Sequence, residues 1–290
     1  MILVTGATGL VGGAVLRELA GRGVPVRALV RSPEKGAALA GPGVETVVGD
    51  FAQPETLAPA LRGVSRALLI SHHDLHQVEL QRNFVQAAHR AGGGVHVVKL
   101  SGLATAPGSA SQSGRWHAET ETEIRAAGLP WTFLHPPYFM QNILRAAPAI
   151  AAHGVLTAAM QDGRVAMVDA RDVAAVAAAA LTTEGHVGQT HVITGPEALS
   201  HAAVAEILGK AVGEPIAYRD IALDALRAQL VGSGAPTWLV DVRMEFTAIL
   251  REGFAAAVTD VVARTTGRPP RTFAAFATEH AAQFRRRGAR

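Results

Sequence analysis

The sequence predicts an α/β protein: a doubly wound parallel sheet with a smaller, mainly helical C-terminal cap. Three observations carry that expectation. Short β-branched runs alternate with longer helical stretches over the first two-thirds of the chain. The strand-like runs are nearly all apolar, as strands covered on both faces are. The first of them ends in spaced glycines that open an amphipathic helix.

The strand-like runs are Ile2–Thr5, Val26–Val30, Val44–Val48, Arg66–Ser71, Val95–Ser101 and Trp131–His135. Helical patterns lie between them, such as Leu10–Arg22 and Leu75–Ala91. In the first helix Val11, Val15 and Leu19 recur every fourth residue and mark one buried face. The crossovers are expected to be right-handed. After about residue 136 the pattern loosens, where Pro136-Pro137 breaks the chain behind a strand. A helix is expected around Phe139–Ala152, then a short strand Val165–Val168. A helix Asp172–Thr182 follows, with Asp172 as its N-cap, and then a strand Gln189–Thr194. Helices dominate from Gly195 onward, with a short strand at Pro215–Tyr218. This reading assigns residues 1–135 and 163–195 to the sheet domain, and 136–162 and 196–290 to the cap.

Composition narrows the function classes. Hydrophobic residues make up 49% of the 290 and mean hydropathy is +0.20, so a packed core is expected rather than disorder. The net charge is +3, but Arg285, Arg286, Arg287 and Arg290 crowd the C-terminus. Without them the body is close to neutral. The basic end reads as a solvated tail, and no nucleic-acid partner is expected. The absence of cysteine removes disulfide, thiolate and iron–sulfur chemistry. Strand-like sequence begins at Ile2, and the longest apolar run, Val173–Leu181, is short for a membrane span. A cytoplasmic protein with no membrane partner is the expectation. A homo-oligomer through helices flanking the sheet is compatible with the pattern.

Ile2-Leu3-Val4-Thr5-Gly6-Ala7-Thr8-Gly9-Leu10-Val11-Gly12-Gly13 is the most informative segment. Gly6 permits a tight turn, Gly9 a close backbone approach to a pyrophosphate, and Gly12 close packing of helix on sheet. Thr8 lies in the same loop. The N–H groups of Leu10, Val11 and Gly12 open the helix and suit an anion. Strand, turn and helix in that order identify a dinucleotide site of the Rossmann type.

The second strand ends Val30-Arg31, where an NAD site places an acid. Arg31 is a planar donor suited to a 2′-phosphate, which favours NADP(H). Lys35 either assists or is a solvated helix charge. After the third strand, Asp50 suits the adenine amino group and Phe51 the adenine ring. Asp50 reads equally as a turn residue. Ser71 and His72 close the fourth strand and should lie over the cofactor. His72 and His76 are four apart, but no carboxylate completes a metal motif, and no metal is expected. Lys99 and Ser101 share one face at the end of the fifth strand, which borders the nicotinamide in doubly wound folds. Lys99 either orients a carbonyl or ribose hydroxyl, or snorkels to solvent.

These residues resemble the NmrA-like branch of the atypical short-chain dehydrogenases/reductases. The resemblance runs over essentially the whole chain. It is carried by Val4-Thr5-Gly6-Ala7-Thr8-Gly9, Val30-Arg31-Ser32-Pro33, Gly49-Asp50-Phe51, Leu68-Leu69-Ile70-Ser71 and His117-x-x-x-Glu121. It continues in Gly128-Leu129-Pro130-Trp131-Thr132, Pro136-x-x-Phe139-Met140-x-Asn142 and Val168-Asp169-x-x-Asp172-Val173-Ala174. Within the branch the type is most similar to the NAD(P)H:quinone oxidoreductases. The family motif usually carries Arg-Pro where this chain has His135-Pro136-Pro137, so no role passes from that Arg.

Ordinary members of the superfamily use a Tyr with a Lys four residues on. The two tyrosines, Tyr138 and Tyr218, are followed at that spacing by Asn142 and Ala222. His117 and Glu121 stand at the matching place. His117 is therefore the candidate proton donor or substrate-orienting group, its ordinary pKa suiting the role. The competing reading is a structural His bonded to Glu121 one turn on. Tyr138, Phe139 and Met140 begin the cap and are read as pocket lining or as core. Pro136 and Tyr138 are assigned to the cofactor site with Lys99 and Ser101, and Tyr138 to the catalytic set with Lys99 and His117.

The resemblance implies an NADPH-dependent oxidoreductase that reduces a small apolar, electron-poor acceptor by hydride transfer. A quinone, enone or cationic dye delocalises the incoming electrons and needs no powerful acid. Two other readings fit the same residues: a non-catalytic NADP(H)-sensing regulator, and an isomerase or lyase on the same fold.

Overall fold

The computed structural model describes residues 1–286. The chain divides into two compact units. The first holds residues 1–109, 114–135 and 170–192, and the second, among the described residues, 110–113, 136–169 and 193–286. Residues 163–169 and 193–195, expected with the sheet, therefore fall in the second unit.

In chain order the elements run β1 (Ile2–Val4), α1 (Leu10–Gly21), β2 (Val26–Val30), α2 (Pro33–Ala37), β3 (Val44–Val48), α3 (Leu57–Leu61) and β4 (Arg66–Leu69). They continue α4 (Gln77–Arg90), β5 (His96–Leu100), α5 (Gln112–Ala126), β6 (Trp131–His135), α6 (Ala147–His153) and β7 (Val155–Ala158). Next come α7 (Ala170–Thr182), β8 (Gln189–Val192), α8 (His201–Val212), β9 (Ala217–Asp220) and α9 (Leu223–Gly232). The last helices are α10 (Thr237–Arg251), α11 (Val261–Thr266) and α12 (Phe273–Phe284).

The first unit is a seven-stranded parallel sheet in the order β3-β2-β1-β4-β5-β6-β8. The order reverses between β1 and β4, which puts a crevice at the carboxyl ends of these strands. One core cluster gathers Leu3, Leu29, Leu57, Leu61, Phe84, Val97, Ile124 and Phe133. Each such side chain contributes roughly 1.5–3 kcal/mol on burial. α7 is buried almost along its whole length because it is nearly all Ala and Val, and it packs on α1. Small side chains let the two helices approach closely.

Thr5, one residue past β1, ties the switch point together. Its Oγ1 accepts from Ile70 N–H at 2.8 Å and lies 2.9 Å from the carbonyl oxygens of Leu68 and Ile70. This fixes the loop that follows β1 against the end of β4.

The second unit is helical apart from a two-stranded parallel pair, β7 with β9. α12 packs on α8 and α6, burying Phe273, Phe276 and Phe284. Sequence periodicity missed β7, a four-residue strand behind the left-handed Gly154. Val165–Val168 is not a strand. It is extended chain with single bridges, Val165 to Leu199 and Val168 to Phe139. Asp172 is not an N-cap either, because α7 starts two residues earlier at Ala170 and puts Asp172 inside the first turn. Of the basic end, Arg285 and Arg286 are exposed as expected, and Arg286 also lies over Gly154 and pairs with Glu214 at 3.7 Å. Arg287 and Arg290 lie outside the described residues. Among the described residues no helix is long and apolar enough to cross a membrane.

Candidate active site

The glycine loop follows β1 and turns directly into α1. Gly6 has φ +59°, a left-handed conformation that a side chain would strain. A Cβ on Gly12 would lie 2.2 Å from the Gly6 carbonyl oxygen, so only glycine lets the helix close on the loop. The N-cap is Gly9, with no side-chain cap and no acid in the first turn. The geometry of a helix start leaves the N–H groups of Leu10, Val11 and Gly12 without intrahelical acceptors. Thr8, Gly9 and Leu10 are exposed. The result is a concentrated set of donors at the positive end of a helix dipole, suited to a pyrophosphate.

Arg31 follows β2 and is exposed, with no hydrogen-bond or ion-pair partner among the described residues. Lys35 is exposed one turn into α2. Two unengaged cations without an acid at this strand end suit a 2′-phosphate.

The Asp50 carboxylate accepts from the Ala52 N–H at 3.0 Å, so one oxygen closes a turn. Phe51 departs from expectation. Its ring lies in the core against Phe84, 5.4 Å between centroids, and the residue is only 8% exposed. It supports the strand end from beneath instead of offering a face to an adenine.

At the end of β4 the Ser71 hydroxyl accepts from Gln81 Nε2 at 2.8 Å. The ring of His72 is exposed and Nε2 lies 3.1 Å from Asp74 Oδ2. His76 instead faces Glu79 at 3.8 Å, so the two histidines do not converge.

A buried polar chain sits at the ends of β5 and β6. Lys99 is fully buried and does not snorkel. Its Nζ donates to Ser101 Oγ at 3.0 Å and to His117 Nδ1 at 2.9 Å, with the Leu100 carbonyl at 3.5 Å. Burial lowers the Lys99 pKa to about 7, while the charge of Glu121 opposes the shift. Ser101 Oγ donates to Glu121 Oε1 at 2.6 Å, and the same oxygen accepts from His135 Nε2 at 2.7 Å.

His117 thus pairs with Lys99 and not with Glu121, although Glu121 lies one turn on. Glu121 is engaged by the two strand-end residues, Ser101 and His135. Gln77 Nε2 lies 3.4 Å from His117 Nδ1. Burial first, and then the charge of Lys99, hold the His117 pKa well below its ordinary value. The unperturbed titration assumed from sequence does not apply. With Nδ1 accepting from an ammonium, the proton of the neutral ring resides on Nε2. That edge looks toward Gly102, where even a Cβ would stand 3.8 Å away.

Lys99, Ser101 and His117 are therefore brought together. Tyr138 and Pro136 belong to the second unit. The Tyr138 ring stacks on Phe246 at 6.5 Å, and burial raises its pKa, so the phenol stays neutral. Glu121 and His135 were not among the expected site residues, although Glu121 stood at the place of the superfamily's Lys and His135 where the family motif has Arg.

The NmrA-like family model matches residues 1–252. The chain is 42% identical over 284 residues to an NAD(P)H azoreductase of Xenophilus azovorans, covering 98% of this chain and 99% of that protein. Among solved structures it is similar to the NADPH-dependent quinone oxidoreductase of Escherichia coli complexed with NADPH. That match has TM-score 0.89, 30% identity, and covers 96% of this chain and 99% of the other. It is similar also to the triphenylmethane reductase of Citrobacter sp. complexed with NADP(H), with TM-score 0.85, 29% identity, and coverage of 97% and 100%.

Proposed function

We propose that this chain, which belongs to the NmrA-like family, is an NADPH-dependent reductase of small electron-poor acceptors such as quinones and cationic or azo dyes. The observation that carries the reading is the buried Lys99–His117 pair at the carboxyl end of the sheet. The similarity to quinone, azo and triphenylmethane reductases supports it.

The residues present fit a phosphorylated dinucleotide. The glycine cradle that a Cβ on Gly12 would destroy, and the uncapped start of α1, would hold its pyrophosphate. Arg31 and Lys35 would hold a 2′-phosphate, and the free oxygen of Asp50 the adenine amino group. Ser71 and His72 would line the path toward the nicotinamide. When bound, the cofactor supplies the hydride.

The chain's own residues supply orientation and one proton. His117 is neutral and presents Nε2–H. It hydrogen-bonds an acceptor oxygen or nitrogen and draws electron density toward it. As negative charge develops there, Nε2 gives up its proton and Nδ1 takes one from Lys99 Nζ. Lys99, with its pKa near neutrality, is the proton reservoir. No strong acid is required, because such acceptors delocalise the added electrons.

The test is NADPH consumption followed by absorbance with a panel of quinones, enones and dyes, against a protein-free control. Saturable loss that falls on the order of 10²-fold or more in His117→Ala supports the reading. Tight NADPH binding with no consumption by any acceptor would move the weight to a cofactor sensor.

A further inference from the structure

Lys99 has a supply problem. Each turnover on a quinone or azo acceptor, which takes up a hydride and a proton, removes one proton from it, yet the side chain is fully buried and cannot be recharged directly by water. The hydrogen-bond chain continues past it on the side away from His117. Ser101 Oγ lies 3.0 Å from Nζ, Glu121 Oε1 2.6 Å from Oγ, and His135 Nε2 2.7 Å from Oε1. Exposure rises along the chain: the side chain of Glu121 is 5% exposed and that of His135 14%. Every step is short enough for transfer between oxygen and nitrogen atoms.

We infer that Ser101, Glu121 and His135 form a proton-return path that recharges Lys99 from solvent, with His135 as the surface entry. This rests on the reductase reading and extends it to Glu121 and His135, which stand outside the residues assigned to cofactor and acceptor. The balance is simple. One proton leaves His117 Nε2 for the acceptor and one moves from Lys99 Nζ to His117 Nδ1. The Ser101 hydroxyl proton then passes to the neutral Lys99 amine. Ser101 recovers a proton through Glu121 from the His135 imidazolium, which is recharged by bulk water or buffer. No redox change occurs along the path.

The surrounding groups suit that role. Glu121 is faced by Arg125 at 3.7 Å, an i, i+4 neighbour on the same helix. His117 is faced by Gln77 and, through charge, by His73 and His135 as well as Lys99. His135 and Glu121 are thus positioning and relay residues, and His135 stands where the family motif carries Arg.

The test separates this path from the reductase reading. His135→Gln keeps an N–H donor toward Glu121 but cannot relay a proton. The sequence contains only three lysines, Lys35, Lys99 and Lys210, so the Lys99 ammonium can be assigned by lysine-selective 15N labelling. In the free protein, solvent exchange of the Lys99 Nζ protons should slow by about tenfold or more in His135→Gln. Millimolar imidazole should restore it. Under dilute buffer, steady-state turnover should fall by a similar factor and recover with imidazole, while a single turnover stays at the wild-type rate. Unchanged Lys99 exchange, or slowed exchange that imidazole does not restore, overturns the path even if quinone reduction is robust. Slowed and restored exchange without any turnover sustains the path and sinks the reductase reading alone.

Discussion

Lys99 Nζ lies 2.9 Å from His117 Nδ1, although eighteen residues and a long loop separate them in the chain. Burial pushes both groups toward their neutral forms, the Lys to about 7 and the His well below its ordinary value.

Lys99→Met should lower activity and raise stability together. The folded pKa of Lys99 is about 7 against an ordinary 10.5, so at pH 7 and below the folded state carries the full cost of a buried charge. Replacing it with an apolar chain of similar length should stabilise on the order of 1–4 kcal/mol. In the wild type kcat/KM should fall as pH rises through about 7, because the reservoir empties. In the variant that limb should vanish. Denaturant unfolding at pH 7 and a pH–rate profile of both proteins check this; a less stable variant that keeps the limb refutes it.

Arg31→Ala should weaken NADPH binding by roughly 10–100-fold, the loss expected for charge-assisted bonds to a phosphate. NADH affinity should change by less than about threefold, because Arg31 has no structural partner to lose. Titration of nicotinamide fluorescence with each cofactor measures both. Equal losses for the two would remove Arg31 from the 2′-phosphate site.

Gly12→Ala should cost on the order of 1–3 kcal/mol of stability and abolish tight dinucleotide binding. The new Cβ would meet the Gly6 carbonyl oxygen at 2.2 Å, and neither backbone can yield without opening the cradle. Wild-type cofactor affinity in the variant would exclude the loop as the pyrophosphate site.

Stability should fall as the solution is made acidic. Burial holds His96 and His201 at a pKa of about 4, and Arg66 adds to the effect on His96. Both folded values lie below the ordinary 6.5, so the unfolded chain takes up protons first. Their contribution is fully present above about pH 6.5 and is lost as pH falls toward about 4. Each is worth at most about 3 kcal/mol by the usual conversion. Urea unfolding at pH 7.5 and 5.5 should show the drop, and His201→Gln should flatten it. A profile without slope over that range would show that these rings are not neutral by burial.

Much of this protein is legible one residue at a time. The strand–glycine–helix opening, the alternation that gives a parallel sheet, and the acid missing after β2 are local patterns with local causes. The shared face of Lys99 and Ser101 follows from strand alternation alone. Each depends on backbone geometry that the sequence dictates within a few residues. Other features depended on direction and distance across elements. Phe51 could turn outward or inward, and the core space beside Phe84 turned it inward. Glu121 stood one turn from His117, but Ser101 and His135, presented by two neighbouring strands, were better partners for its carboxylate. The sequence by itself determined the scaffold and the glycine turn that opens α1, because short-range stereochemistry decides both. Only the tertiary structure decided which titratable groups meet, because that requires burial and three-ångström contacts between residues far apart in the chain.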